Sequence, residues 1–410
     1  MNLNVKFWLK ISLLNLCIVA FLGVLMRYKI GFDFPYLDQK NLQHSHYNFA
    51  FSGWIGHTLI TLMVHYLQTK ITSFNGNKYR SIIIANLICS YGLLISYIIP
   101  RFDLLSIIFS TLSIFVSYIF CYQFIKDLKQ LDNDYLAKKW FKAALLFNVL
   151  SSLGSFYLVY MMISKNIVQD IYLSSVYFYL HFQYNGWFFF ACMGLFYGFL
   201  NLKKSDHPFF ETFFSLFTIT CIPAYFLSTL WLDLPLWLYS ITTLAAFIQL
   251  IIWFKFLGVL TKTRTGFLEN YTVSLRYILV FVGLALSVKL ALQLGSTLPT
   301  VSQLAFGFRP IVIAYLHLVL LAVISLFLLF YIYASHLILI TKKIKFGLIL
   351  FSIGVLLNEI ILAVQGIASF SYTPIPYVNE LLFITALILF SGIGITTYYS
   401  LKKVKNSQVL

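Results

Sequence analysis

The sequence is poor in charge. Asp, Glu, Lys and Arg supply 10% of its 410 residues, against roughly 25% in soluble domains. A polar surface this sparse excludes a water-soluble fold. Proline and glycine, at 9 and 20, are also scarce and fall mostly near the ends of apolar runs, which argues against helices broken in mid-course. The five cysteines, Cys17, Cys89, Cys121, Cys192 and Cys221, lie inside apolar runs with no CxxC pair and read as small packing residues. Strict apolar-polar alternation over segments of about ten residues is missing too, which excludes an outer-membrane barrel.

What is present is apolar: 60% of the residues, with a mean hydropathy of +0.86. Twelve runs are long enough to cross a hydrocarbon layer of roughly 30 Å. They cover about 7–26, 44–68, 80–99, 103–125, 140–163, 172–200, 208–230, 234–258, 272–293, 309–334, 345–366 and 377–400. The first run has no small-residue cleavage site and reads as a retained helix. The expected fold is all-α: a polytopic membrane protein of twelve transmembrane helices in one transmembrane domain, 1–410.

Lys and Arg set the orientation. They gather at Lys6 and Lys10, then in every second gap: Lys70, Lys78 and Arg80; Lys126, Lys129, Lys138, Lys139 and Lys142; Lys203 and Lys204; Lys255, Lys262, Arg264 and Arg276; Lys342, Lys343 and Lys345; and finally Lys402, Lys403 and Lys405. Both termini are therefore expected in the cytoplasm, with the chain in a bacterial cytoplasmic membrane. The net charge of +16 is mainly this orientation signal, with some attraction to anionic lipid, and makes no case for nucleic acid.

His44, His181 and His317 fall 137 and 136 residues apart, close to a third of the chain. They sit on the second, sixth and tenth runs, so the expected architecture is three pseudo-repeated arcs of four helices, over about 1–136, 137–273 and 274–410. The surrounding residues echo each other: His46-Tyr-Asn-Phe-Ala-Phe-Ser-Gly53-Trp54 beside His181-Phe-Gln-Tyr-Asn-Gly186-Trp187, and Tyr179-Leu180-His181 beside Tyr315-Leu316-His317. Imidazole is a strong metal ligand and uncommon at membrane depth, so a chain built this way looks arranged around something that histidines hold.

Each candidate has a plainer reading. His44 and His46 lie 200° apart on a helix, so only one faces inward, the other being a solvated residue at the membrane interface. His46 and His57 share a face, which makes His57 a helix-packing residue. His181 can meet Asn185 one turn later, while His317 has only apolar flanks. His65 and His336 fall at the inner headgroups. Lys289 and Arg309 approach the outer surface, either snorkelling there or pairing with an acidic group. Glu359, beside Asn358 halfway through the eleventh run, is a proton-handling group or a buried hydrogen-bond partner.

The pattern resembles subunit I of the haem-copper oxidases, a fold of twelve helices in three arcs with cytoplasmic termini. The resemblance implies a low-spin, probably b-type haem held by His317 and by His44 or His46, with Arg309 and Lys289 near its propionates. It also places His181 beside a copper site and Tyr315 where the family has a further histidine ligand. The seventh run, Pro208 to Leu230, lacks the family's adjacent copper-binding histidines, so the copper centre is expected to be degenerate or absent. A haem with two imidazole ligands passes electrons, from a cytochrome or quinol donor, or senses redox state or gas; an active terminal oxidase or nitric oxide reductase is the bolder variant. The helix opening His44-Ser-His46 is also similar to that of the NnrS-type family, haem- and copper-associated membrane proteins linked to nitric oxide metabolism. The competing expectation is a haem-free transporter or accessory protein, in which Glu359, Asn185 and Gln183 line a path.

Overall fold

The computed structural model describes residues 2–32, 34–99 and 103–402, with the backbone alone at 103 and 303–305. Lys403 and Lys405 of the expected cytoplasmic tail lie outside the described residues. Among the described residues every regular element is a helix, and one isolated bridge joins Tyr135 to Lys203. The helices in chain order are α1 (Val5–Gly31), α2 (39–70), α3 (Asn77–Ile98), α4 (Asp103–Leu128), α5 (Ala137–Ser164), α6 (169–199), α7 (209–229), α8 (Leu236–Thr263), α9 (Val273–Gly295), α10 (Arg309–Ala334), α11 (Lys342–Phe370) and α12 (Val378–Leu401). A short helix, Pro299–Gly307, precedes α10.

Nine of these are long and apolar enough to cross a membrane, or ten if the bent α7 is one span, among the described residues. The protein is thus a polytopic α-helical membrane protein. The other two, α2 and α6, are also long, but each is made of two α segments around a seven-residue π segment. Helix α2 begins at Gln39, earlier than the apolar pattern predicts, because the Asp38 side chain accepts from the Asn41 amide at 2.9 Å and caps a polar first turn. Pro223 interrupts α7, which bends by 43° into a 3₁₀ turn. The scarcity of proline had argued against such a break, yet one mid-run proline suffices, since it removes a donor and crowds the preceding turn.

The chain divides into two compact units. The first comprises Met1–Gln130, Thr272–Leu279 and Ser325–Leu410; the second comprises Leu131–Tyr271 and Val280–Ile324. In the first unit α12 packs between α1 and α11. Thr397 Oγ1 donates to the Leu13 carbonyl at 3.1 Å, and Lys10 Nζ to the Leu401 carbonyl at 3.2 Å. Glycines let α11 and α12 approach closely: a Cβ on Gly392 would fall 2.5 Å from the Phe351 nitrogen, and one on Gly347 would fall 2.8 Å from the Gly392 carbonyl oxygen. In the second unit Trp140 is buried among Phe190, Tyr197, Phe213 and Phe214. A Cβ on Gly154 would fall 2.6 Å from the Ser175 carbonyl oxygen, so α5 and α6 touch backbone to backbone.

The ion pairs among the described residues join gaps read as cytoplasmic: Lys78 with Asp127 at 2.7 Å, Glu211 with Lys139 and with Lys204 at 3.0 Å, and Arg264 with Asp206 at 2.7 Å. Asp127 is buried and also accepts from the Tyr79 hydroxyl at 2.6 Å, which meets the need of a desolvated carboxylate.

Replacing Gly392 by Leu forces α11 and α12 apart. A loss of about 1–3 kcal/mol or more is expected, read as a lower unfolding temperature in detergent. Gly258→Leu, with nothing within 4 Å of its Cβ position, is the control and leaves that temperature unchanged.

Candidate functional site

Three π segments mark the helices that carry the repeated histidines: Ala50–Gly56 in α2, Phe182–Phe188 in α6 and Leu318–Ser325 in α10. Two begin on the residue after His181 and His317, and the third begins four residues after His46. A π turn turns carbonyls out of the regular ladder, and such turns concentrate at functional sites. In a membrane those carbonyls need other donors. Asn15 Nδ2 donates to the Gly53 carbonyl at 2.6 Å, and Asn86 Nδ2 to the Ser52 carbonyl at 3.2 Å. Tyr91 donates to Asn15 Oδ1 at 2.7 Å, orienting that amide. Trp54 Nε1 donates to Ser325 Oγ at 2.9 Å, joining the end of the third π segment to the first.

Within the first unit, His46 and His57 both face α1. His46 Nδ1 lies 3.1 Å from the Val19 carbonyl, and His57 Nε2 lies 3.4 Å from that of Trp8. The shared face expected from their spacing is therefore present. His57 is fully buried, with Nδ1 unpartnered among the described residues. His44 is stacked on Tyr97, ring centres 5.2 Å apart, and its Nδ1 meets the Tyr47 hydroxyl. Those rings hold it in the first turns of α2. His336 is exposed in the left-handed region, at φ 54°, just past α10.

The first unit also holds Glu359, which is half-buried and accepts from its neighbour Asn358 at 3.2 Å. The second unit holds the other candidates: His181, Lys289, Arg309, Tyr315 and His317. Arg309 is exposed at the start of α10. His317 Nδ1 lies 2.9 Å from the Ile313 carbonyl one turn back.

His181 differs from the other two repeat histidines. It is buried, with Nε2 2.9 Å from the Cys221 carbonyl and Nδ1 3.2 Å from Asn185 Nδ2. Both nitrogens are thus engaged by protein, and the i,i+4 contact with Asn185 is present. The network continues outward. The Cys221 thiol approaches the Asn185 carbonyl at 3.8 Å, and the rings of Tyr184 and Tyr315 meet edge to face at 6.4 Å. Lys289 lies within Coulombic range of His181 and Cys221. It is 5% exposed, so its side chain does not snorkel to the surface.

Asn15, Asn86, Tyr91 and Cys221 were not singled out from the sequence. The available signal was an amide or hydroxyl within an apolar run, without any indication of which distant carbonyl it meets. Among the described residues no group of three or more His, Cys, Asp or Glu side chains could hold a metal ion. The chain matches no model of a known protein family and no curated protein. Fold and site together define an α-helical, multi-span membrane protein with buried histidines beside π segments.

Asn15→Leu strands a buried carbonyl and is expected to cost about 1–3 kcal/mol. Tyr91→Phe costs less, and adding it to Asn15→Leu adds little, because the two share one interaction. Denaturation of the three variants in detergent measures this.

Proposed function

We propose that the chain is a haem-binding protein of the bacterial cytoplasmic membrane that passes electrons or senses redox state or gas, with an architecture like that of haem-copper oxidase subunit I. The observation that carries this reading is the hydrogen-bonding pattern of His46 and His317. Each turns Nδ1 toward a backbone carbonyl, at 3.1 and 2.9 Å, the arrangement that fixes an imidazole with Nε2 as its ligating atom. On this reading His46 and His317 would be the residues that hold the haem. The group would supply one-electron chemistry, and two imidazoles on one iron would leave no open position for a substrate. His181, with both nitrogens engaged, serves as a structural counterpart of the two ligands.

The recurrence of a π segment just after the histidine in α2, α6 and α10 supports the threefold repeat and, with it, twelve crossings with both termini inside. An electron donor at the membrane, a cytochrome or a quinol, follows from that role. On the same reading Arg309 and Lys289 would lie near the haem propionates.

The rival, a haem-free transporter, draws support from the bend at Pro223 and from the polar groups of α6, where Gln183 donates to Ser151 Oγ at 2.7 Å. Optical and electron paramagnetic resonance spectra of protein expressed with ample haem separate the two. The expected result is a Soret band with a low-spin signal that His46→Ala and His317→Ala each abolish, while His44→Ala and His181→Ala keep it. A protein without a Soret band would leave the transporter reading standing. An unchanged signal in His317→Ala would remove that residue from the site.

A further inference from the structure

Lys289 and Gln293 lie one turn apart on α9, on one face, and are 5% and 6% exposed. Among the described residues the Lys289 ammonium forms no ion pair, and Gln293 Oε1 has no partner. The carboxylates paired in the second unit, Glu211 and Asp206, are taken by Lys139, Lys204 and Arg264. The groups within Coulombic range of Lys289 are His181 and Cys221. His181 is already held by the Cys221 carbonyl and Asn185. A lysine side chain this buried on a membrane helix, with no carboxylate partner among the described residues, calls for an anion from outside.

We infer that the second unit holds a binding site for the carboxylate of an amphiphilic ligand, with Lys289 as its counter-ion and Gln293 as a second donor. One ammonium matches a single negative charge, whereas a phosphate monoester would bring up to two. The Gln293 amide, turned end for end, offers Nε2 to the second carboxylate oxygen, and its present orientation leaves Oε1 stranded. Leu286 and Leu290, buried beside Lys289 on α9, suit a ligand that enters from the lipid. The site needs no haem, although a haem propionate is one carboxylate that would fit it.

The test uses the full chain in nanodiscs of phosphatidylcholine, titrated with the fluorescent fatty acid cis-parinaric acid and, separately, with its methyl ester. Saturable binding of the acid is expected, with the ester at least about tenfold weaker. Lys289→Met should weaken the acid by about tenfold or more, Gln293→Leu by a few-fold, and Lys289→Arg only slightly. Displacement by oleate or by haemin would support the site, the latter assigning it to a propionate. Displacement by phosphatidic acid as effective as that by oleate would overturn the carboxylate assignment. Equal binding of acid and ester to the wild-type protein would overturn the site itself, and it does so without relying on any variant's folding. The readout is independent of a Soret band, so failure here and failure of the haem reading are told apart.

Discussion

A carbonyl oxygen in hydrocarbon has no water to turn to, and most of the polar detail in this protein answers that constraint. Ordinary α-helix meets it with local hydrogen bonds. Where α2 widens into a π turn, the requirement passes to neighbouring helices, and Asn15 and Asn86 meet it at the Gly53 and Ser52 carbonyls. Where α7 bends at Pro223, the Cys221 carbonyl turns to His181. Polar side chains inside the bundle are thus placed opposite irregular backbone, and the irregular backbone recurs beside the histidines.

That coupling distinguishes residues which the sequence presents as equivalents. His46 and His317 each bond a carbonyl of regular helix through Nδ1. His181 is clamped through both nitrogens, one of them by the carbonyl before a proline break. These histidines therefore meet the backbone in different ways. Lys289 illustrates the same division: position along a helix says how deep a residue lies, but only packing says whether it can reach water.

The parts legible in advance depend on short-range patterns. Apolar runs located the helices, and the 11-residue spacing of His46 and His57 matched their common approach to α1. The i,i+4 contact of His181 with Asn185 was readable for the same reason. The π segments were not. Gly53, Gly56 and Gly186 loosen two of them, but Leu318–Ser325 has no glycine and no local mark. Nor could Asn15 be matched to Gly53, 38 positions away, because that pairing exists only once α1 and α2 have packed.

The division of the chain has a consequence for its biosynthesis. The first unit joins Met1–Gln130 to Ser325–Leu410, and the second lies almost wholly between them in sequence. As a ribosome delivers the chain from its N-terminus, the second unit has all its residues while the first still lacks α11 and α12. On α1 the Leu13 carbonyl awaits Thr397, and Lys10 awaits the Leu401 carbonyl. Helix α1 must therefore wait in lipid, incompletely packed, until α12 emerges.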